Sequence, residues 1–201
     1  MASDLSRRTL IAAVPAGALL SILPVPAKAL NVDQARKLVD ALVAEVNGVI
    51  NSGKSEAAMF KSFEAIFVRY ADVRYIAQSS LGPAGRQASQ AQVNAYVKAF
   101  QGYISRKYGR RFREFIGGKI EVTGARPLKS FFEVVSVAYL KGQSPFEVRW
   151  HVFDKSGKDL FFNIIIEGVN MLAAERTEIG AMLDKRKGDI GRLTSDLAKL
   201  G

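Results

Sequence analysis

Apolar residues along the chain recur first at helical spacing and then at strand spacing, and the change divides the sequence into two halves. Asn31 with Gln34 predicts a capped helix start, and Ala35, Leu38, Val39, Leu42, Val46 and Ile50 follow at helical steps until Gly53. Met59, Phe60, Phe63, Ile66, Phe67 and Tyr70 form a second, aromatic stripe. Asp72 is placed to cap a short third helix holding Val73, Ile76 and Ala77, closed by Leu81-Gly82-Pro83. Ser89 with Gln92 opens a long helix through Val93, Tyr96, Val97, Phe100, Ile104 and Tyr108. Each of these segments has one face to bury.

From about Lys119 the period becomes two. Ile120 and Val122 alternate with Glu121 and Thr123, and Gly124-Ala125-Arg126-Pro127 reads as a turn. A strand is expected from Phe131 to Leu140, ended by Lys141-Gly142-Gln143-Ser144-Pro145. Phe146, Val148, Trp150 and Val152 alternate with Glu147, Arg149 and His151, which predicts one dry and one wet face. Asp154-Lys155-Ser156-Gly157 is a hairpin turn. Leu160 to Val169 is apolar at nearly every position, as in an interior strand. Asn170 and Asp189 are placed to cap two final helices, one through Met171, Leu172, Ile179 and Leu183, the other through Ile190, Leu193 and Leu197. Helices followed by an antiparallel meander describe an α+β domain, with several helices packed on a curved sheet.

The N-terminus changes the setting. Arg7 and Arg8 precede an uncharged stretch from Thr9 to Ala27, and Ala27-Lys28-Ala29 is a small-x-small cleavage site. Residues 1–29 are therefore expected to be a cleaved export signal, with 30–201 as a single domain. Ser6-Arg7-Arg8-Thr9-Leu10-Ile11 fits either a twin-arginine signal or an ordinary one. Pro15, Pro24 and Pro26 argue against a retained membrane helix. Loss of Arg7, Arg8, Lys28 and Asp4 takes the 29 basic and 19 acidic residues to 26 and 18, a net charge of +8. In an exported protein that charge points to lipid headgroups or acidic protein surfaces, and nucleic acid is not expected. The chain has no cysteine, so its stability must come from the core alone.

Several ordered motifs resemble one family. Phe67-x4-Asp72-Val73-x2-Ile76-Ala77-x3-Leu81-Gly82 is similar to the front motif of the MlaC, or toluene-tolerance, family of periplasmic lipid carriers. Val93, Phe100 and Tyr108 along the next helix, Ile166-Glu167-Gly168-Val169-Asn170, Arg176, and Gly188-Asp189-Ile190-x2-Leu193-x3-Leu197 follow in that family's order. The resemblance implies an NTF2-like sheet wrapped by helices, with acyl chains held between them and the headgroup outside. It also implies a shuttle between an outer-membrane lipoprotein complex and an inner-membrane ABC transporter bearing MCE-domain subunits. Asp159, Asn163 and Glu175 stand where the family usually has Trp, an acidic residue and Tyr, which bears on the ligand more than on the fold. Two cargoes stay open: a phospholipid, or the polycyclic lipid of the family's hopanoid-associated branch.

A lipid carrier must cover apolar surface. About 30 methylenes at roughly 0.8 kcal/mol each leave a two-chain lipid on the order of 20–25 kcal/mol too unfavourable to cross water unaided. Val148, Trp150 and Val152, with Phe162, Ile164 and Ile166 on the next strand, are expected to form one wall of a cavity. Phe63, Phe67, Tyr70, Phe100 and Ile104 are expected to form the other, although such stripes also build ordinary cores. Arg106, Lys107, Arg110, Arg111 and Arg113 cluster on one side of a helix end, as a docking patch for anionic headgroups or an acidic partner would. Cations at a helix C-terminus also explain that cluster.

Catalysis finds little support in these residues. The one histidine, His151, is expected on the wet strand face, and the chain has no Gly-x-Ser-x-Gly elbow, cysteine nucleophile, histidine pair or glycine-rich phosphate loop. Glu167, in its apolar strand, is the single candidate for a buried base. A monomer without cofactor or metal, binding but not transforming its ligand, is the expectation.

Overall fold

The structure, a computed structural model, describes residues 30–109 and 114–200. The expected signal segment, residues 1–29, and Arg110, Arg111 and Arg113 of the basic cluster lie outside the described residues.

The helical half forms where its caps and stripes direct it. α1 (Val32–Ile50) starts at a complete capping box: Asn31 accepts from the Gln34 amide at 2.9 Å, and Gln34 accepts from the Asn31 amide at 3.0 Å. α2 (Glu56–Tyr70) buries Met59, Phe63 and Ile66. α3 (Val73–Leu81) begins at Asp72, whose carboxylate accepts from the Tyr75 amide at 2.9 Å. Gly82, at φ +58°, takes the left-handed conformation that admits the short α4 (Pro83–Gln87). Ser89 and Gln92 then bond reciprocally at the entry to α5 (Gln90–Gly109).

Five strands follow as an antiparallel meander in the order β1-β2-β3-β4-β5. β1 (Lys119–Pro127) is longer than its sequence suggests. Gly124 to Pro127, read as a turn, continues the strand past an irregularity between Val122 and Gly124, and the chain reverses at Leu128–Phe131 instead. Pro127 is tolerated because it closes an edge strand, where a missing N–H costs no ladder bond. β2 (Phe132–Tyr139) and β3 (Phe146–Phe153) pair as expected. β4 (Leu160–Ile166) is shorter than its apolar run. Glu167 and Gly168, both at positive φ, turn the chain into the two-residue β5 (Val169–Asn170). Asn170 and Asp189 cap α6 (Met171–Asp184) and α7 (Ile190–Leu197), as their side-chain chemistry predicts.

The expected α+β arrangement is what the chain adopts. α1 lies along β1, β2 and β3; α6 packs on β4 and α3; α5 packs on α2 and α7. One continuous cluster of buried apolar residues joins α1, α2, α3, α5, α6 and α7 to the inner face of β1–β4. The α2–α3 junction is fixed to the sheet, since the Asp72 amide donates to the Phe161 carbonyl at 2.8 Å.

Candidate functional site

The cluster is not solid. Between β4 and the helices lies a cavity of about 180 Å³. α1 contributes Leu42 and Val46, α2 contributes Phe63, Ile66 and Phe67, and α5 contributes Ile104 and Tyr108. Trp150 and Phe161, Ile164 and Ile166 form the sheet wall, while Met171, Leu172 and Glu175 of α6 close it. Small-ligand pockets usually span roughly 300–1,000 Å³. The cavity at rest therefore fits a fragment of an acyl chain, and two full chains require its helical walls to part.

Of the eleven wall positions expected from sequence, Phe63, Phe67, Ile104, Trp150, Phe162, Ile164 and Ile166 line this space. Tyr70, Phe100, Val148 and Val152 do not. The Tyr70 hydroxyl is drawn to α1, donating to Glu45 Oε1 at 2.8 Å. Phe100 is fully buried between the rings of Tyr96 and Tyr103, and Val148 and Val152 are core under the helices. An irregularity in the β3–β4 pairing after His151 sets Phe161, not Phe162, opposite Val152. The Phe161 ring meets Trp150 and Phe67 on the cavity side, whereas the Phe162 ring stacks on Phe131, Phe153 and His151.

Sequence reasoning expected the α6 helix but did not place it in the cavity wall. Its signal was present: Met171, Glu175, Ile179 and Leu183 recur at four-residue steps, so one carboxylate interrupts an apolar row. Glu175 is 3% exposed. Its Oε1 accepts from Lys107 Nζ at 2.7 Å and from the Tyr108 hydroxyl. Lys107 also pairs with Glu178 Oε2, and the Tyr103 hydroxyl donates to Glu178 Oε1 at 2.6 Å. Burial alone would lower the Lys107 pKa, but its bonds to Glu175 and Glu178 outweigh that and raise it. Burial would raise Glu178, yet the bonds from Lys107 and Tyr103 hold it below its ordinary value. Burial first, then Glu175, pushes the Tyr108 hydroxyl well above its ordinary range, so it remains a donor.

These contacts bear on the basic cluster. Lys107 is engaged with two carboxylates, and Arg106 donates to the Leu197 and Leu200 carbonyls at 2.7 and 2.8 Å, capping the end of α7. Both cations are committed within the molecule.

The candidates for catalysis are placed differently from the sequence expectation. His151 does not face solvent: it is 9% exposed, with the Phe131 ring 4.5 Å away. Its Nε2 lies 3.4 Å from Glu133 Oε2, its Nδ1 is 3.3 Å from Asn163 Nδ2, and Asn163 Oδ1 accepts from the Leu172 amide at 3.0 Å. Arg126 donates to Glu133 Oε1 at 2.8 Å through Nε. The alternation was right about the face and wrong about its wetness, because Phe131 and Phe162 cover it. Glu167 is exposed in the β4–β5 turn at φ +50°, so it is no buried base. Among the described residues no three of His, Cys, Asp and Glu gather as a metal site would need. No helix among them is long and apolar enough to cross a membrane.

An α+β sheet wrapped by helices around an apolar hollow is the architecture of a protein that encloses a small greasy ligand. The family model described as MlaC protein matches residues 36–199, and the chain belongs to that family. Its fold is similar to that of a solved phospholipid-binding protein from Ralstonia solanacearum in complex with a phospholipid. The TM-score is 0.70 at 19% identity, over 82% of this chain and 95% of that one.

Proposed function

We propose that this protein is a periplasmic lipid carrier that encloses the apolar part of a phospholipid between sheet and helices and performs no chemistry on it. The observation that carries this reading is the apolar cavity bounded by Phe63, Phe67, Ile104, Trp150, Ile164 and Ile166. Membership of the MlaC family and the phospholipid held by the similarly folded Ralstonia protein support the ligand class. The basic, small-x-small-terminated N-terminal segment supports export and release at Leu30, with 30–201 as one carrier domain. On this reading the loaded monomer passes between an outer-membrane lipoprotein complex and an inner-membrane ABC transporter with MCE-domain subunits. Arg110, Arg111 and Arg113, the rest of the basic cluster, are then the candidates for docking.

The cavity is smaller than the cargo, so loading displaces α2, α5 or α6. Native mass spectrometry of the purified chain tests the reading. A lipid-sized mass excess, removed by organic extraction and restored by exposure to phospholipid vesicles, is expected. A bare polypeptide mass both before and after vesicle exposure overturns it.

A further inference from the structure

Glu175 is chemically out of place in its wall. Its Oε1 is already bonded to Lys107 and Tyr108, whereas Oε2 is buried without a hydrogen-bond partner, alone in this among the side-chain atoms of the described residues. A carboxylate oxygen kept from water and left unbonded is costly. A trapped water would need two to four polar partners, and the lining offers it few. Ser105 Oγ is committed to the Gln101 carbonyl, and Asn163 to His151 and Leu172. Side-chain exposure rises from 4% at Glu175 through 27% at Lys107 to 43% at Glu178, so this cluster leads from the apolar hollow to the surface. It sets one ammonium against two carboxylates, a balance that favours a donor over another anionic oxygen.

We propose that Glu175 Oε2 accepts a hydrogen bond from the cargo, so that the site selects lipids carrying an O–H or N–H donor near the apolar body over lipids that have none. This rests on the lipid-carrier reading and specifies it. The donor belongs to the part of the lipid that lies where the hollow meets the surface, and Lys107 and Tyr108 hold the carboxylate in place to receive it.

The test offers the delipidated protein vesicles of three phospholipids with identical acyl chains, and native mass spectrometry reads which one loads. Phosphatidylethanolamine supplies N–H, phosphatidylglycerol supplies O–H, and phosphatidylcholine supplies neither. Phosphatidylethanolamine, phosphatidylglycerol or both should load over phosphatidylcholine by about tenfold or more, as a bond to a charged group implies. The one preferred identifies the donor. Glu175→Leu should bring the ratio near one, and Glu175→Gln, which keeps an acceptor oxygen, should retain part of the preference. Equal loading of all three onto the unaltered protein overturns the donor contact and leaves the carrier reading standing. Failure to load any lipid overturns the carrier reading, and the donor contact with it. The unaltered protein decides between these outcomes even if a variant does not fold.

Discussion

Two buried carboxylates flank the same sheet and are treated in opposite ways. Glu133, on the face away from the cavity, uses both oxygens: Arg126 bonds one and His151 approaches the other. Asn163 extends that chain from His151 to the first turn of α6. Glu175, on the cavity side, has two donors on one oxygen and none on the other. A polar group whose valences are filled by its own protein fixes structure; one left unbonded calls for another explanation, which the proposed cargo donor supplies.

The widest test of this contrast uses neighbouring residues on opposite faces of β4. Ile164 lines the cavity, and Ile165 does not. Ile164→Trp should reduce co-purifying lipid more than tenfold while Ile165→Trp leaves it near the unaltered level, read by mass spectrometry of the extracted lipid. Equal losses would remove the distinction between the faces.

The carboxylates themselves come next. Glu133→Leu leaves the His151 and Arg126 donors without their acceptor and should cost about 1–3 kcal/mol in urea unfolding of the ligand-free protein. Glu175→Leu takes the acceptor from the Tyr108 hydroxyl but also removes the unbonded oxygen, and Lys107 keeps Glu178, so its cost should be the smaller of the two. The comparison fails if Glu175→Leu is the more damaging of the two.

A smaller effect concerns acid. Burial lowers the His151 pKa; Glu133 pulls the other way without reversing it, and Arg149 adds to the lowering. The unfolded imidazole titrates near 6.5, so as pH falls the unfolded chain binds the proton first. His151 therefore contributes fully above about pH 6.5, and that contribution is lost as pH falls toward and through its folded value. Burial would raise Glu133, but Arg126 and His151 hold it below the usual carboxylate range. Its contribution is lost only at lower pH, below the unfolded value of about 4.3. His151→Gln should flatten the upper part of the acid limb in thermal unfolding and leave the lower part. An unchanged profile would show that the imidazole is not part of the buried chain.

What the sequence revealed was local. Asn31, Asp72, Ser89, Asn170 and Asp189 announce their helices because a cap is satisfied within three residues. The aromatic stripe of α2 brings Phe63 and Phe67 to the cavity, but the alternation of β3 brings only Trp150, because Val148 and Val152 are taken up by the core. What escaped depends on partners distant in the chain. The irregularity after His151, which sets Phe161 opposite Val152 and adds it to the wall, arises between strands and leaves no mark in either one. Gly124 and Pro127 carry turn chemistry, yet β1 runs through both as an edge strand paired to β2. Glu175 was visible as a charge within an apolar row, but its unbonded oxygen depends on how α5 and α6 meet in the folded chain.

The modest size of the hollow has a kinetic consequence. A container too small at rest for its cargo is filled at the rate at which it widens. With vesicles in excess, uptake should level off at a ceiling set by helix separation, however much more membrane is supplied. Whatever hands over the cargo would then act by prising the walls apart, and would speed both entry and exit.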